Sequence, residues 1–273
     1  MHTKATGLGF HSREIRKDIF RMITNARCGH MGGSLSCVEL LVSLYFSVMN
    51  IDPLQPNWTD RDRFVNSKGH ATAAYYATLA NRGYFSREEL VNLFISVSSS
   101  FEEHGSRQVP GVDISTGSLG QGISVGAGMA LSARLMERDF RAFVLAGDGE
   151  CQEGQIWEGA LFASHYKLDN LIVLIDRNGQ QVSGTTEQIM AVEPLTEKWK
   201  SFSWDVFSVN GHDIREIIAC IHSLNRNGKP KVIIAHTVKG KGVSFMEHNL
   251  DFHSFRALTA DELKTASKEL GLQ

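Results

Sequence analysis

The sequence predicts an α/β fold, a mostly parallel sheet with helices on both faces. Five short apolar segments bounded by turn residues support this prediction, at 63–65, 142–146, 171–175, 205–209 and 232–235. Their apolar residues are continuous rather than alternating, which is typical of strands buried on both faces. Segments with helical spacing lie between them, and this alternation of strand and helix indicates a parallel sheet.

Helical spacing extends over 12–27, 122–137, 155–165 and 214–225. The first of these segments ends before Gly29, and glycine commonly stops a helix. Three serines or threonines precede a glutamate by three positions, the pattern of a capping box: Ser36 and Glu39, Ser86 and Glu89, and Thr259 and Glu262. The sequence therefore predicts a helix after each of these pairs.

Composition and charge restrict the class of protein. The chain has 273 residues, of which 42% are hydrophobic, with 28 basic and 30 acidic side chains. These proportions exclude collagen-like, disordered and coiled-coil chains. The balanced charges form no long block of one sign, so neither nucleic acid nor an anionic membrane is expected as a partner. We interpret 1–273 as a single domain with a C-terminal extension from about residue 246.

The cysteines and the N-terminus predict a cytoplasmic protein. The four cysteines are irregularly spaced and form no Cys-x-x-Cys pair, so neither a zinc site nor a disulfide framework is indicated. The N-terminal segment lacks the apolar core of a secretory signal. The most apolar segment, 171–175, is far shorter than the roughly 20 residues needed to span a bilayer.

Polar residues follow two of the predicted strands at the point where each strand ends. Asp148 lies in the sequence GDGE after one strand, and Asn178 lies in DRNG after the next. Both sites fall at carboxyl ends of strands, where ligands bind in open α/β folds. A carboxylate, an amide oxygen and a nearby backbone carbonyl suit Mg²⁺, which commonly bridges to phosphates. Each motif alone is also consistent with an ordinary tight turn; the pair of motifs favours a cation-diphosphate site.

A GDG sequence followed about 30 residues later by asparagine resembles the thiamine diphosphate fingerprint, and GDGECQEGQIWEGA is similar to its transketolase version. The likeness extends from SREIRKDIFRM to the histidine at 253. It implies the thiamine diphosphate-binding fold, in its diphosphate-binding domain. It also implies that Asp148 and Asn178 bind the metal together with the main-chain oxygen of Gln180, with Gly149 and Glu150 beside the cofactor. Mg²⁺ is the implied ion, with Ca²⁺ or Mn²⁺ as substitutes.

Three histidines next to glycines resemble transketolase segments: His30 in CGHMGG, His70 in NSKGHA and His104 in EEHGS. His253 resembles a later catalytic histidine of the family. A lone histidine in a loop is usually only solvated, but its near-neutral pKa also makes it the usual residue for proton transfer. The resemblance implies that His30 and His253 act on the reacting oxygens, whereas His70 and His104 hold the donor's terminal hydroxyl and the cofactor.

Small and apolar residues form the remaining expected contacts. The run of small residues from 115 to 131 predicts a closely packed helix, and the resemblance also places Gly117 and Leu119 against the cofactor rings, with Val182 as another apolar wall. Glu153 is consistent with a helix start or with the family's subunit-interface network. Lys239 and Lys241 are consistent with a solvated basic turn or with contact to a phosphate, and His212 is expected to be structural.

The resemblance implies ketol transfer: a two-carbon unit moves from a phosphorylated ketose to an aldose through the thiamine diphosphate carbanion. In the family, a glutamate that activates the cofactor comes from a second, pyrimidine-binding domain. The chain ends at Gln273, where the first domain ends. We therefore expect the N-terminal subunit of a split transketolase, active with a separate C-terminal chain as an α₂β₂ heterotetramer.

Departures from the family pattern leave other functions open. Met31 replaces a proline, Glu103, His104 and Gly105 replace Gly-His-Pro, and Ser254 replaces a glycine, so the sugar substrate is expected to be unusual. One alternative is another thiamine diphosphate reaction, such as deoxyxylulose-phosphate synthesis or oxo-acid decarboxylation. The other is a non-catalytic protein that binds the cofactor.

Overall fold

The computed structural model describes the backbone of residues 2–272 and the side chains of 7–272. Its five strands are all parallel and are ordered β1-β2-β3-β5-β4 across the sheet. The strands are β1 (Arg63–Asn66), β2 (Ala142–Gly147), β3 (Leu171–Arg177), β4 (Asp205–Asn210) and β5 (Lys231–His236). The α/β fold class and all five predicted strands are confirmed.

Helices cover both faces of this sheet. They are α1 (His2–Ala26), α2 (Met31–Ser36), α3 (Val38–Ser43), α4 (Thr72–Arg82), α5 (Arg87–Leu93), α6 (Gln121–Leu135), α7 (Gly154–His165), α8 (Thr186–Ile189), α9 (Leu195–Ser201), α10 (Ile214–His222) and α11 (Ala260–Leu270). A π-helical turn, Leu44–Val48, extends α3. Helix α1 begins ten residues before the predicted start at residue 12, because the glycines at 7 and 9 do not interrupt it.

Two hydrophobic cores lie on opposite faces of the sheet, since side chains alternate along each strand. Phe143 and Leu145 of β2 pack into the core beneath α1, α3, α4 and α10. Ala142 and Val144 pack into the other core, beneath α6 and α7. The strands are thus buried on both faces, as their continuous apolarity predicts.

Glycines allow α6 to approach the sheet closely. A Cβ atom at Gly126 would lie 2.4 Å from a methyl of Val144, and one at Gly122 would lie 2.3 Å from the Ser67 hydroxyl. The closely packed helix predicted from this run of small residues is therefore confirmed.

The capping predictions have mixed outcomes. Thr259 forms the predicted capping box with Glu262 at the start of α11, and the Ser86 hydroxyl accepts a hydrogen bond from the backbone N–H of Glu89. The prediction at Ser36 is wrong, because Ser36 is the last residue of α2 and its hydroxyl donates to Asp176 Oδ2 at 2.6 Å. A contact with a distant strand end has replaced the local cap.

Candidate active site at the carboxyl edge of the sheet

A cavity of about 330 Å³ opens beyond the carboxyl ends of β1, β2 and β3. The twelve residues that the sequence assigns to catalysis, cofactor or metal all line it: His30, His70, His104, Gly117, Leu119, Asp148, Gly149, Glu150, Asn178, Gln180, Val182 and His253. Parallel strands bring separate loops to this one edge, which is why residues far apart in sequence meet here. We call Asp148, Glu150, Asp176 and Asn178 the oxygen floor, and His30, His70, His104 and His253 the histidine wall.

Asp148 joins the two loops that follow β2 and β3. Its Oδ2 accepts hydrogen bonds from the backbone N–H of Gly179 at 2.6 Å and from Arg177 Nη1 at 2.9 Å. Its Oδ1 accepts from the backbone N–H of Gly149 at 2.7 Å, so this N–H is occupied here rather than free for a phosphate. Burial raises the pKa of Asp148, against the effect of these hydrogen bonds. A divalent cation beside the carboxylate would oppose that rise.

Asn178 is oriented by Asp176, the buried carboxylate near the end of β3. Asn178 Nδ2 donates to Asp176 Oδ2 at 3.1 Å, and Asn178 Oδ1 accepts from the backbone N–H of Gln180 at 3.1 Å. Asp176 also accepts from the hydroxyls of Ser36 and Thr237 and from the ammonium of Lys68. Burial is the largest influence and opposes ionisation of Asp176, but Lys68 and the hydroxyls of Ser36 and Thr237 together outweigh it, so the pKa of Asp176 is lowered.

Glu150 uses both carboxylate oxygens to hold the surrounding backbone. Oε2 accepts from the backbone N–H of Gly147 at 2.9 Å, and Oε1 accepts from that of Gly120 at 2.8 Å and from the Ser67 hydroxyl. Burial raises the pKa of Glu150. Glu150 thus lines the cavity, but its contacts connect the loop after β2 to the start of α6.

Oxygen atoms of the floor and of the adjacent Gln180 backbone are suitable ligands for a hard divalent cation. Asp148 supplies a carboxylate, Asn178 an amide oxygen and Gln180 a backbone carbonyl, the oxygen ligands that Mg²⁺ takes in proteins. Among the described residues, no three histidine, cysteine, aspartate or glutamate side chains converge as metal ligands. With so few protein ligands, phosphate oxygens and water would complete the shell of an ion held here.

The four rings of the histidine wall lie against one another. The ring centroid of His30 is 5.3 Å from that of His253, 5.4 Å from that of His70 and 6.3 Å from that of His104. Burial is the main reason that the pKa values of His30, His70 and His253 are lowered. The pKa of His253 falls to about 3. These three rings are therefore neutral near pH 7, each able to donate one proton and accept another.

Lys239 is buried beneath the histidine wall, so its interpretation as part of a solvated turn is wrong. Its Nζ lies 2.7 Å from His253 Nδ1 and donates to the backbone oxygens of Gln180 and Gln181 at 3.3 and 3.0 Å. Burial, with Lys68 nearby, lowers the pKa of Lys239 to about 8. Lys241 does lie in a partly exposed turn, where it pairs with Glu247 at 3.1 Å.

Apolar and small residues form the mouth of the cavity. Leu119 and Val182 line it and are 36% and 63% exposed. A Cβ atom at Gly69 would lie 2.8 Å from the backbone nitrogen of Gly117, so glycine is required where these two loops touch. Glu153 also lines the cavity and precedes α7 without capping it. The expected rings of a bound cofactor would have an apolar surface here.

His212 has the structural role expected from the sequence. Its Nε2 accepts a hydrogen bond from the backbone N–H of Val238 at 2.8 Å, so the proton of the neutral ring lies on Nδ1, 2.9 Å from Glu39 Oε2. Glu39 also pairs with Arg16. This network connects α1, α3 and the segment after β5, away from the cavity.

Sequence reasoning missed several residues that support the site. Lys68 and Asp176 form a buried ion pair, Arg177 contacts Asp148, and Glu103 lies against His30. Lys68 is next to the GHA motif and Arg177 is next to Asn178, so proximity to the motifs was the available signal. None of the partners could be identified from spacing, because each contact joins separate elements.

Comparison with known proteins identifies the family. The family model of the transketolase thiamine diphosphate binding domain matches residues 12–273. The chain is 43% identical over 264 residues to one subunit of the apulose-4-phosphate transketolase of Phocaeicola vulgatus, covering 96% of this chain and 93% of that relative. It is 42% identical over 271 residues to 6-deoxy-6-sulfo-D-fructose transketolase subunit SqwG of a Clostridium species, covering 99% and 98%.

Solved structures agree with this relationship. The transketolase of Campylobacter jejuni superposes with a TM-score of 0.90 at 32% identity, over 97% of this chain but only 42% of that enzyme. The subunits that the chain matches nearly end to end are thus much shorter than that transketolase. Within residues 2–272, no helix is long and apolar enough to cross a membrane. The chain belongs to the transketolase family, as the N-terminal subunit that carries the thiamine diphosphate-binding domain.

Proposed function

We propose that this chain and a separate C-terminal subunit together transfer a two-carbon ketol unit from a ketose to an aldose. The observation that carries the proposal is the meeting, in one cavity, of an oxygen floor suited to a cation with a wall of four histidines, of which His30, His70 and His253 are neutral near pH 7. Thiamine diphosphate supplies the electron sink for breaking the carbon–carbon bond. The side chains of this subunit bind, orient and move protons.

The oxygen floor anchors the cofactor in this proposal. Asp148, Asn178 and the backbone oxygen of Gln180 hold Mg²⁺, and Gly149 and Glu150 border the diphosphate. Gly117, Leu119 and Val182 provide the apolar surface for the rings, and His70 contacts the cofactor. The hydrogen bonds that fix Asp148 and Asn178 support this assignment, since ligands held by outer contacts need little rearrangement to bind.

The histidine wall handles the sugar. His30 and His253 exchange protons with the reacting oxygens, and His70 and His104 hold the terminal hydroxyl of the donor. Burial supports these roles, because a neutral imidazole can act as donor or acceptor without first losing a proton to water.

The substrate is a sugar with an anionic terminal group. Two relatives support this, since one is named for a sugar phosphate and the other for a sulfonated sugar. The partner contributes the pyrimidine-binding domain and the activating glutamate, in an α₂β₂ assembly in the cytoplasm. The four free cysteines are consistent with a reducing compartment. Residues 1–273 form one domain with a C-terminal extension from about 246, in which α11 packs on α1.

Reconstitution tests the proposal. The purified chain, alone and mixed with a candidate C-terminal chain, is supplied with thiamine diphosphate, Mg²⁺, an aldose and a phosphorylated, a sulfonated or an unmodified ketose. We expect ketol transfer only in the mixture, and faster with an anionic ketose. Robust turnover by the chain alone, or cofactor binding by the mixture without ketol transfer, would overturn the proposal. Decarboxylation of an oxo acid would favour another thiamine diphosphate reaction.

A further inference from the structure

A carboxylate outside the cavity lining contacts one ring of the histidine wall. Glu103 Oε1 lies 3.0 Å from His30 Nδ1, and the two side chains are 31% and 19% exposed. Glu103 directly precedes His104 in the loop between α5 and α6, whereas His30 directly precedes α2. The pattern that this segment resembles has glycine at position 103, which has no carboxylate.

This contact determines which nitrogen of His30 carries the proton. Nδ1 is buried and makes no well-aligned hydrogen bond, so Glu103 is its close polar neighbour among the described residues. A lone pair on Nδ1 facing a carboxylate oxygen at 3.0 Å would be repelled, whereas an N–H there is attracted. Electrostatics thus favour the proton on Nδ1. The other ring nitrogen, Nε2, then carries a lone pair.

Other charged and titratable groups also lie near His30. They are His70 before α4, His104 in its loop, and His253 and Lys239 in the segment after β5. The cationic forms of these groups repel a proton on His30. Glu103, in contrast, attracts that proton. Glu103 therefore stabilises an imidazolium at His30 that its other neighbours oppose.

We propose that Glu103 is a positioning residue that fixes His30 with its proton on Nδ1 and leaves Nε2 as the proton acceptor in the cavity. This inference rests on the proposed function for its role in turnover. The O–H bond of a sugar hydroxyl breaks, its proton forms the Nε2–H bond of His30, and the electron pair remains on the sugar oxygen. The Glu103 carboxylate then faces the imidazolium that has formed.

His253 has the opposite tautomer to the one proposed for His30. Lys239 Nζ lies 2.7 Å from His253 Nδ1, and an ammonium can only donate, so His253 carries its own proton on Nε2. The rings of His30 and His253 are nearly perpendicular, at 88°, with centroids 5.3 Å apart. One ring thus accepts a proton and the other donates one to the same small space.

Nitrogen-15 NMR of the histidine rings in the full chain tests the proposal without requiring turnover. We compare the wild type with Glu103→Ala and with Glu102→Ala, a matched control at the exposed neighbouring glutamate. The His30 signals are assigned by their loss in His30→Gln. We expect the Nδ1–H tautomer in the wild type and the control, and a shift toward Nε2–H in Glu103→Ala. Nε2–H in the wild type, or no change in Glu103→Ala, would overturn the proposal.

Kinetics of the reconstituted complex distinguish positioning from support of the fold. In Glu103→Ala, we expect kcat to fall about tenfold and the acidic limb of its pH profile to move down by about one unit, because a carboxylate that raises the His30 pKa is lost. An unchanged pH profile would contradict the role. If the tautomer is as proposed but no ketol transfer occurs, the proposed function fails and the assignment of the Glu103 contact stands.

Discussion

The oxygen floor and the histidine wall lie at the same cavity, with Asp176 buried behind its lining, but differ in how their polar atoms are paired. On the floor, each carboxylate oxygen of Asp148 and Asp176 accepts at least one hydrogen bond. On the wall, the His70 ring makes no hydrogen bond with any described residue, and the rings of His30 and His253 each face one charged partner. The floor is fixed before a ligand arrives, whereas the wall keeps its donors and acceptors available. In the proposed function, the floor would anchor the cofactor and the wall would chiefly handle the sugar and its protons.

Asp148→Asn, in the oxygen floor, is expected to reduce turnover the most. An amide has only one oxygen, so it cannot accept all the hydrogen bonds that Arg177, Gly149 and Gly179 donate to the carboxylate. It also lacks the negative charge that attracts a cation. We expect turnover of the complex with its partner to fall at least about 100-fold, with a higher Mg²⁺ concentration for half-maximal activity. Asp139→Asn, at a side chain that is 95% exposed, is the control. Equal Mg²⁺ dependence in both variants would contradict the anchoring role.

Lys68→Met tests whether the floor is held by its buried ion pair. Removing Lys68 leaves Asp176 charged and buried, so we expect the free energy of unfolding to fall by about 3–5 kcal/mol. Urea denaturation measures it, with Lys264→Met as the control at an exposed lysine. The double variant Lys68→Met/Asp176→Asn should recover part of the loss. A loss in the single variant as small as in the control would show that the pair does not hold the floor.

His70→Ala on the wall is expected to affect chemistry more than folding. Turnover should fall by about 10², the usual contribution of a proton-transferring or orienting imidazole. The free energy of unfolding should change less than in Lys68→Met, because the ring makes no hydrogen bond to lose. His222→Ala, at the exposed end of α10, is the matched control. Near-normal kinetics in His70→Ala would reject a role for this residue in turnover.

The smallest effect is the dependence of stability on pH through His253. Its pKa is lowered from 6.5 to about 3 by burial, then by Lys239, so the unfolded chain binds more protons below pH 6.5. Stability therefore falls as pH drops from 6.5. Allowing for partial exposure of the ring, we expect the wild type to lose about 1 kcal/mol more than His253→Gln between pH 6.5 and 5. Equal losses in urea denaturation would contradict a buried neutral ring.

The sequence predicts the five strands well because continuous apolar segments need burial on both faces. It also predicts that the four histidines and Asp148, Glu150 and Asn178 lie together, because glycine-flanked polar residues follow strands whose ends meet at one edge, but it does not indicate Asp176. The helix cap predicted at Ser36 does not form, because the hydroxyl of Ser36 donates to the distant carboxylate of Asp176 instead. The contact between Glu103 and His30 joins loops that are far apart in sequence, so no local pattern indicates it. The segment around Lys239 is rich in lysine and glycine, as solvated turns are, and only the folded structure shows that Lys239 is buried.

Calorimetric titration of thiamine diphosphate into the reconstituted complex tests most directly whether the oxygen floor anchors the cofactor through a cation. We predict one cofactor bound per copy of this chain with Mg²⁺ present, loss of binding when EDTA removes the ion, and weak binding in Asp148→Asn under either condition. Binding of equal strength with Mg²⁺ and with EDTA, or wild-type affinity in Asp148→Asn, would contradict a cation-anchored cofactor.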